Sequence, residues 1–393
     1  MDSSRKAVPK GQQTKPRDFA EYRAQYRDLV YQTICRYLPI PSPKELRRGE
    51  TDLTSTAMHL KITREYVDRR GKYMRPGLLL LSGQMFGANM DDLILLAAAQ
   101  QLSEDFLLMK DDWEDASKER RGLPAAHLMY GAKRTINASV ACMLAVEHIL
   151  ADYQDLHPGI GIQVHHKFID MLNRTLEGVF IELRFFEDIR SLASASEELY
   201  LSTVIGKTCY YSVYGPLQIG AIAAGKGDPE TLRILEAIGT EAGIAFQMMD
   251  DILDLEAKAS SGFGKERYGD IYEGKLTIPV LHAYRHGTRE EGQRLETIYK
   301  KQRKAPEQES LLRNVSPDAR DELEGGLFRS GEDVRFVVEM VHKHHSLEYA
   351  HRLCEKHAER AEKLLKKYER ALPQNEYTEM LKEVFRNLHV RTR

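Results

Sequence analysis

Apolar residues recur three and four positions apart along almost the whole chain, the spacing that lines one face of an α-helix. In 19–38, Tyr22, Tyr26, Leu29, Val30 and Ile34 form one such stripe, and Pro39, Pro41 and Pro43 end it because proline lacks the next helical donor. The same periodicity predicts helices near 55–69, 76–87, 91–115, 125–131, 134–154, 160–190, 196–225, 229–259, 276–286 and 289–303, then 333–342, 345–371 and 376–390. Strand-like alternation bounded by hairpin turns does not occur over a useful length, so the expected fold class is all-α. Residues 304–333 are charged, poor in apolar side chains and interrupted by Pro306, Pro317, Gly325, Gly326 and Gly331; they read as an exposed, partly mobile insertion between helices. With no linker flanked by composition shifts, 19–393 reads as one large domain behind a flexible polar tail, 1–18.

Composition narrows the function classes. With 393 residues, 42% of them hydrophobic, the chain has ample material for a large core. Its 57 Lys and Arg nearly balance 59 Asp and Glu, so no global field draws it to nucleic acid or an anionic membrane, and strong charge chemistry must be local. Cys35, Cys142, Cys209 and Cys354 are scattered through helical stretches without metal-ligand spacing and read as buried thiols of a reducing compartment. The N-terminus lacks the apolar run of a secretory signal. The longest apolar runs, Leu78–Leu81 and Leu93–Ala99, are too short to span a bilayer. A soluble, cytoplasmic protein is expected.

The local charge lies in two clusters. Asp111-Asp112-Trp113-Glu114-Asp115 ends the apolar stretch Leu93–Met109, and Asp250-Asp251-Ile252-Leu253-Asp254 ends the apolar run from Ile244 to Met249. Helical spacing puts Asp111 and Asp115 on one face, one turn apart, where like charges repel unless a cation sits among them. Hard oxygen ligands completed by water and phosphate suit Mg²⁺. An isolated Asp-Asp-x-x-Asp also describes a solvated acidic helix end, but these clusters emerge from apolar runs, and each is followed by cations. Arg120 and Arg121 follow the first; Lys265 and Lys275 follow the second. Guanidinium and ammonium groups are the natural partners of phosphate oxygens, so the pair reads as a diphosphate trap. Trp113 reads as a packing residue.

Five spaced segments, Gly71–Pro76, Asp111–Gly122, Lys207-Thr208, Phe246–Asp254 and Lys265 with Asp270–Lys275, resemble the trans-isoprenyl diphosphate synthases, the family of farnesyl and geranylgeranyl diphosphate synthases. The likeness covers roughly residues 60 to 290 by motif. It implies a single helical bundle of the isoprenoid synthase type around a central cavity. It also implies three Mg²⁺ ions bridging an allylic diphosphate to Asp111, Asp115 and Asp250, with Asp112, Asp251 and Asp254 contributing less directly. Arg120, Lys207, Lys265 and Lys275 would hold that diphosphate, Thr208 and Gln247 would stabilise the allylic cation, and Lys72, Arg75 and Arg121 would bind isopentenyl diphosphate. The family's members are commonly homodimers, which is expected here too.

Two positions bear on substrate use. Seven residues before Asp111, where the family commonly has His or Gln, stands Glu104; an anion there opposes a diphosphate unless an Arg or Lys neutralises it. Lys110 could pair with Glu104 or Glu114. Phe106 and Leu107 precede Asp111 by five and four positions, where the family forms the floor of its product tunnel, and an aromatic at the deeper position resembles enzymes that make the geranylgeranyl product, with Phe106 as the floor. A class I terpene cyclase is the first alternative, although the second cluster keeps its aspartates. A non-catalytic regulatory subunit is the second, although both clusters and the lysines are intact.

Overall fold

The computed structural model describes residues 16–39, 53–188, 192–256, 267–305, 308, 312 and 315–388. The fold is all-α, as the periodicity predicts. The Phe19–Tyr37 helix starts where Asp18 accepts from the Glu21 amide, and it buries Tyr22, Tyr26, Val30 and Ile34 on one face. Met90–Glu114, Ile160–Asp188 and Pro229–Glu256 are long helices that line the cavity, Ala132–Leu156 packs against the first two, and Met74–Met85 packs on Gly215–Ala223 beside them. Leu96 to Ala99, Leu102 and Met109 are buried on Met90–Glu114, and Ile238, Ala242, Ala245, Met248, Met249 and Ile252 on Pro229–Glu256. One apolar core runs from Phe19 to Leu388. Among the described residues no helix is long and apolar enough to cross a membrane.

Three departures from the periodicity matter for the site. The stretch expected as one helix over 196–225 is three: Glu197–Val204, a π-helical segment Ile205–Tyr214, and Gly215–Ala223. The wider turn is invisible to a 3.6-residue count because its side chains remain mostly apolar, and such segments are rare and frequently mark functional sites. A two-residue antiparallel pair, Glu119–Arg120 with Leu123–Pro124, turns the chain after the first cluster, which no strand pattern announced. The charged stretch 304–333 is not simply exposed. Its described part includes the Pro317–Leu327 helix, and Arg329 donates to the carbonyls of Tyr272, Ile298 and Tyr299.

Cys142, Cys209 and Cys354 are buried, whereas Cys35 is only half-buried. Trp113, expected to pack, is 41% exposed. Of the tail 1–18, residues 1–15 lie outside the described residues.

Candidate active site

Both aspartate clusters sit at the C-terminal ends of long helices, Met90–Glu114 and Pro229–Glu256, with no basic residue in either last turn. A helix C-terminus already carries partial negative charge, so acids there are unfavourable by themselves. The two ends flank one cavity of about 890 Å³, lined by Asp111, Asp250, Asp251, Asp254 and Asp270 and by the cations Lys72, Arg75, Arg120, Arg121, Lys207 and Lys275. Asp115 borders an adjoining recess that Asp111, Asp254 and Lys275 share.

The lysines stand between the carboxylates. Lys207 Nζ lies 3.6 Å from Asp111 and 2.5 Å from Glu182, and Lys275 Nζ lies 3.6 Å from Asp115, 3.4 Å from Asp270 and 2.5 Å from Glu273. Burial and the neighbouring charges of Glu273 and Asp111 hold the Asp115 carboxyl well above the usual carboxylate range, against the pull of Lys275 and Lys207. Burial followed by the Asp270 charge pushes Asp251 up to about 8. The wall therefore holds more carboxylate than its cations offset, and the donor set suits a hard divalent cation. Among the described residues no three carboxylate, imidazole or thiol groups converge closely enough to hold an ion unaided. That arrangement fits Mg²⁺, which keeps waters and takes substrate phosphate oxygens beside one or two carboxylates.

The π-helical segment brings Lys207, Thr208, Tyr211 and Ser212 to the cavity together. Its approach to the Ile160–Asp188 helix depends on Gly178, where a Cβ would stand 2.4 Å from the Lys207 amide nitrogen. Thr208 Oγ1 donates to Gln247 Oε1 (2.8 Å), Gln247 Nε2 donates to Asp251 Oδ1 (2.8 Å), and Tyr200 Oη donates to Asp251 Oδ2 (2.7 Å). This chain fixes Thr208 and Gln247 relative to the second cluster.

Several expected residues take other places. Asp112 is fully buried; its oxygens accept from Tyr66 Oη (2.6 Å) and from the Arg120 guanidinium, so it orients Arg120 rather than facing the cavity as a ligand. Asp254 lines the cavity while accepting from the amides of Gly269 (3.1 Å) and Asp270 (3.3 Å), which anchors the Lys275 turn. Phe106 is buried and does not line the cavity. Leu107 and Leu108 do, because 104, 107, 108 and 111 share a helical face from which 106 is rotated. Glu104 is indeed paired, with Arg75 Nη1 at 3.2 Å, and Lys110 pairs with Glu114 at 2.5 Å. Lys265 lies outside the described residues.

Sequence reasoning missed Glu182, Tyr200, Asp105 and Glu273, all of which hold site residues. Glu182 carried one signal: an acid inside an apolar helical run needs a buried partner.

A protein-family model described as polyprenyl synthetase matches residues 57–315. The geranylgeranyl diphosphate synthase of Methanosarcina mazei is 30% identical over 287 residues, covering 72% of this chain and 79% of that protein. The octaprenyl diphosphate synthase of Escherichia coli is 29% identical over 58% of this chain and 66% of that protein. The crystal structure of geranylgeranyl pyrophosphate synthase from Corynebacterium glutamicum, complexed with isoprenyl diphosphate and magnesium, superposes with a TM-score of 0.73 at 20% identity, covering 95% of this chain and all of that one. A family model matched over more than half the chain, on the helices that carry both aspartate clusters, establishes that the chain belongs to the polyprenyl synthetase family and is a trans-prenyltransferase.

Proposed function

We propose that the chain condenses an allylic diphosphate with isopentenyl diphosphate to a short-chain trans-prenyl diphosphate, with geranylgeranyl diphosphate the favoured product and farnesyl diphosphate next. The observation that carries this is one cavity with two separate cationic sets. Lys207 and Lys275 are interleaved with the carboxylates, whereas Arg75 and Arg121 lie beside Glu104. Two diphosphates need two sets of cations, and a cyclase needs one. The intact clusters with their lysines likewise favour a catalytic chain over a regulatory subunit. The relatives support the short chain: besides the M. mazei enzyme, a protein named short chain isoprenyl diphosphate synthase from Methanothermobacter thermautotrophicus is 30% identical over 67% of this chain.

In this reading Asp111, Asp115 and Asp250, with Asp254 beside them, hold magnesium, three ions when substrate is bound. Magnesium held there would supply positive charge to offset that of the diphosphate leaving group. Lys207, Lys275, Arg120 and Lys265 hold the same diphosphate from the protein side. Thr208 Oγ1 and Gln247 Oε1, bonded to each other and tied to Asp251 through Gln247 Nε2, present their dipoles to the allylic carbon. Leu107, Leu108, Leu176 and Val179 give that carbon a wall poor in water, which would otherwise quench it to an alcohol. Lys72, Arg75 and Arg121 hold the second substrate so that its double bond attacks the same carbon, an effectively intramolecular step. The new carbon–carbon bond forms, and the departed diphosphate takes the proton lost from the isopentenyl unit.

A homodimer is part of the proposal. Val140, Met143 and Leu144, at helical spacing on Ala132–Leu156, and Phe180 and Ile181 on Ile160–Asp188 leave apolar side chains exposed, with Phe180 at 65%. Patches of this kind mark interfaces.

Incubation of purified protein with labelled isopentenyl diphosphate and dimethylallyl, geranyl or farnesyl diphosphate tests the reading. Labelled elongated diphosphate is expected. Hydrocarbon or alcohol without label would identify a cyclase instead. In the same assay Leu107→Ala should lengthen the product by at least one isoprene unit. Phe106→Ala should do so only if Phe106 supports Leu107 from behind.

A further inference from the structure

The arginines expected to bind the second diphosphate are already engaged. Arg75 Nη1 lies 3.2 Å from Glu104 Oε1, and Arg121 Nη2 lies 2.8 Å from Asp105 Oδ1 and 3.8 Å from Glu104 Oε1. Arg75 Nε donates to Ser212 Oγ, and Arg121 Nη1 donates to the Tyr66 carbonyl. Arg121 also lies tight against Gly71, where a Cβ would stand 2.8 Å from Nη2. Two guanidinium groups thus face two carboxylates, so these two arginines are largely charge-compensated before any substrate arrives.

The carboxylates are under-bonded in return. Glu104 Oε2 and Asp105 Oδ2 are buried without a hydrogen-bond partner, as is Gln101 Oε1 on the same helix. A buried carboxylate oxygen without a donor is costly as an anion, and protonation removes that cost. The surroundings of Asp105 leave few other remedies. Glu104 and Gln101 share its helix, Arg121 faces it from the following loop, and Tyr73, Cys142 and Tyr211 face it from three other elements. The hydroxyls of Tyr73 and Tyr211 and the thiol of Cys142 are all pushed up by burial, so they stay neutral and the Arg121 guanidinium supplies the countercharge.

We propose that Glu104 and Asp105 are a built-in competitor for the second substrate's diphosphate, which displaces them from Arg75 and Arg121 while Asp105 takes up a proton from solvent. The inference rests on the prenyl-transfer reading. A diphosphate on these arginines takes the guanidinium partners from both carboxylates, leaves Asp105 the Gln101 Nε2 donor at 3.2 Å, and sets a second anion beside them. Both changes favour the protonated acid. Asp105 is already poised for it: burial, with Glu104 adding to it against the pull of Arg121, pushes its carboxyl up to about 6. Glu104 and Asp105 thereby set the affinity for isopentenyl diphosphate and tie it to pH.

Calorimetric titration of isopentenyl diphosphate into the full chain tests this, at pH 7.5 in EDTA and without allylic substrate, so that no turnover occurs and metal-dependent binding is silent. Comparing Pipes with Tris, whose ionisation enthalpies differ, gives the proton count. Net proton uptake is expected from the wild-type protein, the opposite sign from the release that arginine binding of a diphosphate alone would give. Uptake should vanish in the Glu104→Gln, Asp105→Asn double variant. Affinity should rise about tenfold in Glu104→Gln, as expected when a competing anion beside Arg75 is removed, with the KM for isopentenyl diphosphate falling in parallel. Net release or no proton change in the wild type overturns the proposal without any variant. Weaker binding in Glu104→Gln also overturns it, since the carboxylate would then be positioning Arg75. Elongation that proceeds with pH-independent isopentenyl affinity overturns this inference alone, whereas absence of elongated product removes the reading beneath it.

Discussion

Along one wall of the cavity Asp111, Asp115, Asp250 and Asp270 are interleaved with Lys207 and Lys275, whereas along another Arg75 and Arg121 are matched by Glu104 and Asp105. Both walls are built from acids and bases within ion-pair reach, but their balance differs. The first carries surplus carboxylate at two helix C-termini, where burial and then the Glu273 charge raise Asp115, and it favours the arrival of a cation. In the second, each arginine is matched by a carboxylate, two carboxylate oxygens lack donors, and the arrival of a proton is favoured. Charge content alone would not separate them. What decides is whether each anion is compensated by a fixed cation of the protein or left to be compensated by something that binds.

The comparison can be broken most decisively at the first wall. Asp111→Asn or Asp250→Asn should lower kcat/KM by about 10³-fold or more, the scale seen when a main electrostatic contribution to a transition state is removed. Isopentenyl diphosphate binding in EDTA should be unaffected. Loss of that binding as well would mean the two walls are one site.

A second, smaller effect separates the walls by stability. Asp105 has a folded pKa of about 6, above its ordinary 3.8, so its stabilising contribution is complete below the ordinary value and is lost as pH rises through 6. Relative to Asp105→Asn, the wild type should therefore lose about 3 kcal/mol of unfolding free energy between pH 3 and pH 7. Denaturant titrations across that range read the difference directly. Parallel curves would show that Asp105 does not titrate there.

The mildest change sharpens the first wall. Tyr200→Phe removes the 2.7 Å hydrogen bond to Asp251 and should cost about 1 kcal/mol of stability. If the Tyr200–Asp251–Gln247–Thr208 chain positions the polar groups beside the allylic carbon, kcat should fall severalfold with little change in KM. An unchanged kcat would make the chain purely structural.

How much of this was legible in the residues differs between fold and site. Period counting located the helices because the burial of a helical face repeats within each helix. It missed the π-helical turn at Ile205–Tyr214, whose apolar content is unchanged by one extra residue per turn. The aspartate clusters were legible because an anion at the end of an apolar run is anomalous wherever it lies. Their internal division of labour was not: Asp112 has the same chemistry as Asp111 but the opposite fate, turned inward to Tyr66 and Arg120. Distance from Asp111 along the chain offers Phe106 as a tunnel floor, yet rotation about the helix puts Leu107 on the cavity and Phe106 in the core.

The sequence by itself determined an all-helical chain with two acidic helix ends, cations after each, and an acid at Glu104 where a diphosphate site is expected. Tertiary structure alone decided which acid answers which base. Lys207 meets Glu182 across 25 residues, Tyr200 meets Asp251 across 51, and Arg75 meets Ser212 across 137. The physical reason is range. Helix formation and the burial of an apolar face are governed by neighbours within a few positions, and so are written locally. The charge on a buried carboxyl is governed by whatever lies within a few ångströms in space, and helix packing makes those neighbours from distant parts of the chain.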